Sequence, residues 1–185
     1  TGAVQSQALP AARFVTGMLN ASKDWAGASW LVAANSSTQN LCRVAFTVSD
    51  CEKVERALLV MAGLGYFQAT LNGARVSDAE LESGWTDYGR RVPYSVYDVT
   101  DLIKGGEGSE GGNVLGVSLG NGWYSTNGGA EPTDVPKTFI AKLFVNGMEV
   151  LSTSSHQPQQ HQQWTCATGP IVYDSVYNGE VFDGR

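Results

Sequence analysis

An all-β domain, built as a sandwich or barrel, is the fold class this sequence predicts, on three observations. Apolar runs are short and rich in Val, Tyr, Phe and Thr. Clusters of Gly, Asn, Asp and Ser interrupt them throughout, with 22 glycines in 185 residues. Asn-Gly pairs at positions 72–73 and 146–147 separate strand-like stretches, the pattern of two-residue hairpins whose central residues need positive φ. Short strands closed by tight turns stack in layers around one core, which a chain of this length can bury. One domain over residues 1–185 is therefore expected, with 1–13 a frayed N-terminal extension.

The elements follow in order. Residues 11–20 have mixed character, and Phe14, Val15 and Met18 fit a first strand or a short helical turn. Trp25 and Trp30 bracket small residues that lead into a strand at Leu31-Val32-Ala33. A polar loop over 35–40 precedes Leu41 to Val48, where apolar and polar positions mostly alternate, and Val54 to Met61 carries the buried run Ala57-Leu58-Leu59-Val60. Tyr66 to Leu71, the turn Asn72-Gly73 and Ala74-Arg75-Val76 form a hairpin. The loop from Ser77 to Arg91 is too long for a plain connector and carries Trp85 and Tyr88, so it packs on itself, as functional loops do. Strands follow at Tyr94 to Val99 and Val114 to Leu119, the second stopping at Gly120-Asn121-Gly122-Trp123-Tyr124, a polar corner that reads as facing water and ligand. A Gly/Pro-punctuated surface loop spans 125–136. Thr138 to Val145, the turn Asn146-Gly147 and Glu149 to Thr153 make a second hairpin, and Ile171-Val172-Tyr173 with Val176 to Asp183 finish the sheet.

A formal net charge of −6 and a pI near 4.8 argue against nucleic acid, because no row of Lys and Arg is available to neutralise phosphates. The same sign repels an anionic membrane, and no apolar run reaches the roughly 18 residues of a spanning helix. Cys42, Cys51 and Cys166 allow at most one disulfide. From the strand end near Val48 the chain can retrace only about 10 Å by Cys51, so Cys166 is expected to pair with either Cys42 or Cys51. The sequons Asn20-Ala21-Ser22 and Asn35-Ser36-Ser37 favour an extracellular protein, and with no leader before Thr1 the sequence is expected to be a mature secreted form or a piece cut from a longer chain.

Catalysis finds no matching set of residues. Carboxylates are available at Asp78, Glu80, Glu82, Asp87, Asp98 and Asp101, yet Asp98 reads as a cap or turn residue, and Glu80 and Glu82 as solvated loop charges. No Ser-His-Asp elbow, Cys-His pair or phosphate-cradling glycine loop is present. His156 and His161 have no carboxylate or thiol at ligand spacing, so 157–163 reads as a solvated loop. Binding has better footing. Sugars present apolar ring faces and a rim of hydroxyls, so their sites pair an aromatic platform with Asn and Asp side chains that can also ligate calcium. Trp85, Tyr88, Trp123 and Tyr124 can supply the first, and Asp78, Asp87, Asn121 and Asn127 the second. Core packing or loop pinning is the competing role for Trp85 and Trp123, and the turn alone explains Asn72.

Six motifs, taken together and in order, resemble a known family. They are Leu71-Asn72-Gly73-Ala74-Arg75-Val76-Ser77-Asp78, Gly84-Trp85-Thr86-Asp87-Tyr88, Arg90-Arg91-Val92-Pro93-Tyr94, Tyr97-Asp98-Val99-Thr100-Asp101-Leu102, Gly120-Asn121-Gly122-Trp123-Tyr124 and the closing Gly179-Glu180-Val181-Phe182-Asp183-Gly184-Arg185. From Trp25 to Arg185 the chain resembles the N-terminal β-sandwich domain of bacterial and fungal α-L-rhamnosidases, a class that includes the rhamnose-binding carbohydrate-binding modules of family 67. The resemblance implies a jelly-roll β-sandwich of the galactose-binding-domain type, with two antiparallel sheets and no catalytic residues. It implies binding of L-rhamnose on plant cell-wall or related glycans by a secreted monomer, assisted by a Ca²⁺ ion that holds two adjacent hydroxyls. Carried over residue by residue, it makes Asp78 and Asn121 the metal ligands and sets Trp123 or Trp85 against the sugar's methyl-bearing side; with Asp87, Tyr124 and Asn127, read above from their residue types, these tryptophans form the expected sugar-binding set. Ala79, directly after Asp78, has no side-chain oxygen, so a second ligand must come from elsewhere. The alternative it implies is a structural accessory domain of a larger rhamnosidase.

Overall fold

Two Asn-Gly turns fix the registers of two hairpins, and both central residues of each sit at positive φ: 54° and 86° at Asn72 and Gly73, 50° and 84° at Asn146 and Gly147. This geometry matches the twist of the strands it joins. Each asparagine side chain also reaches across the fold. Asn72 Oδ1 accepts from the Val114 amide while its Nδ2 donates to Leu102 O and Asn113 Oδ1. Asn146 Oδ1 accepts from the amides of Glu55 and Arg56, and its Nδ2 donates to Lys53 O.

The computed structural model describes residues 14–32, 39–48, 53–105, 112–126, 135–154 and 163–185. In chain order the elements are α1 (Ala21–Asp24), β1 (Leu31–Val32), β2 (Asn40–Phe46), β3 (Ala57–Leu64), β4 (Tyr66–Leu71), β5 (Ala74–Arg75) and β6 (Ser95–Asp98). After a 3-10 turn (Thr100–Leu102) come β7 (Asn113–Gly120), α2 (Gly122–Thr126), β8 (Thr138–Val145), β9 (Met148–Ser152), β10 (Thr165–Thr168), β11 (Ile171–Ser175) and β12 (Gly179–Phe182). Two antiparallel sheets face each other: β1-β8-β3-β6, with β9 also pairing β8, and β10-β2-β7-β4-β5. The strands β11 and β12 form a ribbon of their own. The expectation that they finish the sheet is corrected by that pairing.

Period-two burial builds the core. Along β2, Asn40, Cys42, Val44 and Phe46 point inward while their neighbours are exposed, and along β7 Asn113, Leu115, Val117 and Leu119 do the same. Ala57, Leu59 and Met61 of β3 and Phe139, Ala141, Leu143 and Val145 of β8 meet them from the other sheet. Burying one such Leu, Val or Phe side chain contributes about 1.5–3 kcal/mol. The other face of β3 and β8 is buried as well, at Val60, Ala62, Ile140 and Lys142. Residues 14–32 run past this outer face without forming a strand before β1. Lys142 Nζ donates to Ala26 O at 2.6 Å and to Glu149 Oε2 at 2.7 Å, and the Met18 amide donates to Tyr94 Oη at 2.7 Å.

Cys42 and Cys166 are bonded, and they are register partners of β2 and β10. The bridge closes a separation of 124 residues, for which loop-closure entropy alone gives about 5 kcal/mol. Cys51, the sequon at Asn35, His156 and His161 lie outside the described residues. The sequon residue Asn20 is the N-cap of α1, its Oδ1 accepting from the Lys23 amide at 3.1 Å. Replacing both Cys42 and Cys166 with Ala is expected to lower stability by about 2–5 kcal/mol. Urea denaturation measured under oxidising conditions checks this, and a midpoint equal to wild type would show that the bridge contributes nothing.

Candidate functional site

Two segments meet where β7 ends: the 77–91 loop and the β11-β12 ribbon. The loop is held at its middle. The Phe67 amide donates to Glu82 O at 2.6 Å, and Ser83 Oγ, buried, donates to Gly63 O at 2.9 Å. The Glu82 carboxylate accepts from Ser95 Oγ at 3.0 Å and from the Tyr97 hydroxyl. Burial, then the bond to Glu82, pushes the Tyr97 phenol far above its ordinary range. Glu82 is thus a tie between loop and β6, not the solvated charge read from sequence. Glu80 fits that reading better: it is exposed and pairs with Arg75 at 2.8 Å. Asp98 is a turn residue, one of the two roles expected of it, its Oδ1 accepting from the Thr100 amide at 3.1 Å, while Val99 is the N-cap of the 3-10 turn.

The corner after β7 differs from the expectation. The strand stops at Gly120 as expected, but Asn121 has no exposed surface and α2 begins at Gly122, where a corner facing water was expected. The backbone amide of Asn121 donates to Asp174 Oδ1 at 2.8 Å, and its Nδ2 donates to Asp174 O at 2.9 Å. Its Oδ1 accepts from the Nζ of Lys137, also fully buried, at 2.9 Å. Only glycine fits beside it. A Cβ on Gly65, at φ 106°, would come within 2.5 Å of Gly120 O, and one on Gly122, at φ 53°, within 2.8 Å of the Tyr66 amide nitrogen.

These contacts test the expected calcium site. An amide oxygen committed to a buried lysine, in a residue without exposed surface, is not available to an ion from solvent. Asp78 is exposed, so the two residues do not make an open pair of oxygen ligands. Among the described residues no group of three or more His, Cys, Asp or Glu could hold a metal ion. Asp78 and Asn121 do not fit the ion assigned to them, and the physical reason is the Lys137 contact.

The aromatic expectation fares differently. Trp85, 76% exposed, lies against Trp123 with centroids 6.1 Å apart and planes at 39°. Tyr177, 59% exposed, stands edge-on to Trp123 at 5.5 Å. Tyr124 meets Tyr88 edge-on at 5.3 Å. Burial pushes the phenols of Tyr66 and Tyr88 up from their ordinary values, and that of Tyr88 is raised further by Tyr66. The corner therefore gathers rings from the loop, α2 and the ribbon into one rim. Asp87 is exposed and closes a turn beside it, its Oδ1 accepting from the Gly89 amide at 3.2 Å and its Oδ2 pairing with Arg90 at 3.3 Å. Asn127 lies outside the described residues. Tyr177 escaped the sequence reading because the run around it reads as strand. Its signal was the Asn178-Gly179 pair, which marks the ribbon's turn. Leu81, also in the loop, is held at φ 57° and is exposed. Beneath the ribbon, bordered by Gly122 and Val176, whose neighbours Trp123 and Tyr177 belong to the rim, lies a cavity of about 400 Å³.

The geometry defines a class of module: a two-sheet β domain with an exposed aromatic rim. Comparison with known proteins gives the family. Residues 52–185 match the α-L-rhamnosidase N-terminal domain, and the chain belongs to that family. It is 35% identical over 162 residues to an α-L-rhamnosidase of Streptomyces avermitilis, covering 87% of this chain and 15% of that protein. The crystal structure of a native α-L-rhamnosidase from Aspergillus terreus superposes with a TM-score of 0.72 at 30% identity, over 91% of this chain and 20% of that one. An α-L-rhamnosidase of Streptomyces avermitilis in complex with L-rhamnose superposes with a TM-score of 0.63 at 33% identity, over 80% of this chain and 14% of the other. The chain thus spans roughly a seventh to a fifth of the length of the relatives it matches.

Asn121→Ala separates the two roles proposed for that residue. The buried Lys137 contact predicts a loss of about 1–3 kcal/mol in urea unfolding, the cost of leaving a buried polar group without its partner. An unchanged midpoint would show that the side chain is not structural.

Proposed function

We propose that this domain binds L-rhamnose units of plant cell-wall or related glycans on the Trp85–Trp123–Tyr177 rim, without cutting them. The observation that carries the reading is the exposure of Trp85, a large apolar ring left in water yet packed against a second indole. A lone exposed apolar residue needs no explanation, but a contiguous aromatic surface marks a binding site. Family membership and the L-rhamnose complex of a relative support the choice of sugar. The deoxy sugar offers a methyl group and C–H faces to the rings, and the polar rim can meet its hydroxyls. The Cys42–Cys166 bridge supports an oxidising, extracellular setting.

A second reading has its own observation. The chain covers only 15% of the Streptomyces avermitilis relative, so the domain can serve as a structural part of a larger rhamnosidase that binds no sugar itself. Calcium has no step in either reading, since Asn121 already holds Lys137.

Isothermal titration with L-rhamnose separates them. Binding is expected between about 10⁻³ and 10⁻⁵ M, because a monosaccharide offers few atoms to contribute binding energy. Trp85→Ala should weaken it about tenfold, the loss of one ring contact worth about 1.4 kcal/mol, and a chelator should leave it unchanged. Absence of heat with wild type would remove the sugar reading and leave the structural one. Sensitivity to the chelator would overturn the metal-free version.

A further inference from the structure

Asn-Gly pairs stand at 72–73, 121–122, 127–128, 146–147 and 178–179. The pair is chemically fragile as well as a good turn: glycine has no Cβ to shield its backbone nitrogen, which can reach the side-chain carbon of the asparagine before it. Whether it does depends on how firmly that asparagine is held. Asn127 lies outside the described residues. Asn72, Asn121 and Asn146 are committed to other parts of the fold: in each, the side-chain oxygen accepts from, and the nitrogen donates to, groups at least 16 residues away in sequence. Freeing any of these amides means opening a contact between segments.

Asn178 is held differently. It is exposed at the turn of the β11-β12 ribbon, and its Nδ2 donates at 3.1 Å to the Tyr173 hydroxyl, a partner on the same ribbon. Gly179 is exposed too, at φ 79°, and a Cβ there would meet nothing within 4 Å, so the space around it is open to water. Gly73 and Gly147 are equally open, so the asparagine and not the glycine separates the sites. The turn is pinned on its N-terminal side, where Ser175 Oγ accepts from the amides of Tyr177 and Asn178, both at 3.2 Å. The Asn178–Gly179 peptide follows that pin, and Gly179 opens β12.

We propose that Asn178 is a modification site: among the described Asn-Gly pairs it is the one that deamidates in the folded protein, and the change is felt at Tyr177. The Gly179 backbone nitrogen, its proton lost to hydroxide, attacks Cγ of Asn178. The new N–Cγ bond closes a five-membered succinimide, the Cγ–Nδ2 bond breaks, and Nδ2 takes a proton and leaves as ammonia. Water then opens the ring. Opening at Cγ leaves an aspartyl side chain on an unchanged backbone, and opening at the main-chain carbonyl routes the chain through Cβ as an isoaspartyl link. The sum is one water consumed and one ammonia released, with no oxidant or reductant. Either product adds a negative charge close in sequence to Asp174, Glu180 and Asp183, where like charges repel. The isoaspartyl link also lengthens the turn next to Tyr177, which stands edge-on to Trp123. The inference does not depend on the saccharide reading.

Incubation of the intact domain at neutral and at mildly alkaline pH, followed by tandem mass spectrometry of its peptides, tests it. Labelling by protein L-isoaspartate methyltransferase marks the isoaspartyl fraction. The mass gain of an amide-to-acid conversion is expected at Asn178 at least about tenfold faster than at Asn72, Asn121 or Asn146, because those amides react only after local opening. The rate should rise with pH, since the attacking nitrogen must lose its proton. In the urea-unfolded, reduced chain the same pairs should converge on one rate. Asn178→Gln, which closes the corresponding six-membered ring far more slowly, should abolish the fast conversion and leave the unfolding temperature unchanged. Converted protein, separated by ion exchange, should show an altered near-ultraviolet circular dichroism from the Trp123–Tyr177 pair. Equal rates at the four folded sites, or a faster rate at Asn72, Asn121 or Asn146, overturn the assignment. A ranking that persists in urea overturns its structural origin, and fast conversion with an unchanged aromatic signal overturns the coupling to Tyr177.

Discussion

Asn121 is the pivot on which the rest of the surface depends. Its backbone and side-chain N–H groups both end on Asp174, and its carbonyl oxygen ends on Lys137, so one buried amide ties the end of β7 to the ribbon and to the start of β8. Such a network is demanding, because each buried polar group must find a partner in a low-dielectric interior. Asp174 Oδ2 is the atom of it that is buried without a hydrogen-bond partner among the described residues. Trp123 and Tyr177 follow within a few residues of the two ends that Asn121 and Asp174 join, so their edge-on contact is a consequence of the clip.

The two faces of the sandwich have been finished in different ways. On the sheet containing β3 and β8, the outer face is closed by residues 14–32, with a buried lysine bonded to both the covering segment and a neighbouring strand. Val60 and Ile140 are thereby removed from water. On the sheet containing β4 and β7, the outer face keeps polar side chains, Gln68 and Ser118 among them, and is roofed at a distance by the ribbon. Covering an apolar face adds stability through area removed from water. Leaving a polar face roofed but not filled adds none, and it creates a concave space with hydrogen-bonding capacity. The asymmetry leaves the concave space on the second sheet.

Legibility in the sequence tracked the range of the interactions concerned. The Asn-Gly turns, the alternation of β2 and β7 and the turn at Asp98 are decided within a few residues, and they stand where the sequence placed them to within a few positions. Asn121 was misread because its partners lie 53 and 16 residues away. An amide between two glycines looks like an exposed corner when nothing local explains it. Lys137 gave no signal at all, since a lysine after a Gly/Pro-rich stretch reads as solvated. The resemblance to rhamnosidase domains correctly supplied the family and the pairing of two antiparallel sheets, and the two tryptophans it named, Trp85 and Trp123, are neighbours. Its residue roles did not follow automatically, because a side chain's job depends on what faces it.

Trp85 and Tyr177 remain largely in water although each touches Trp123, whose own ring is half-buried. If core packing were their role, closing the gap between loop and ribbon would hide more of both rings and gain more from burial. The fold instead holds the loop away by fixing its middle to β4 and β6 through Glu82 and Ser83, and holds the ribbon away through Asp174. Each restraint uses polar contacts whose geometry is directional, so the spacing of the rings is set by hydrogen bonds and not by hydrophobic collapse. An aromatic surface kept open by a polar frame is preorganised: the cost of ordering it is met in folding, and a weak ligand with few atoms does not have to meet it again on binding.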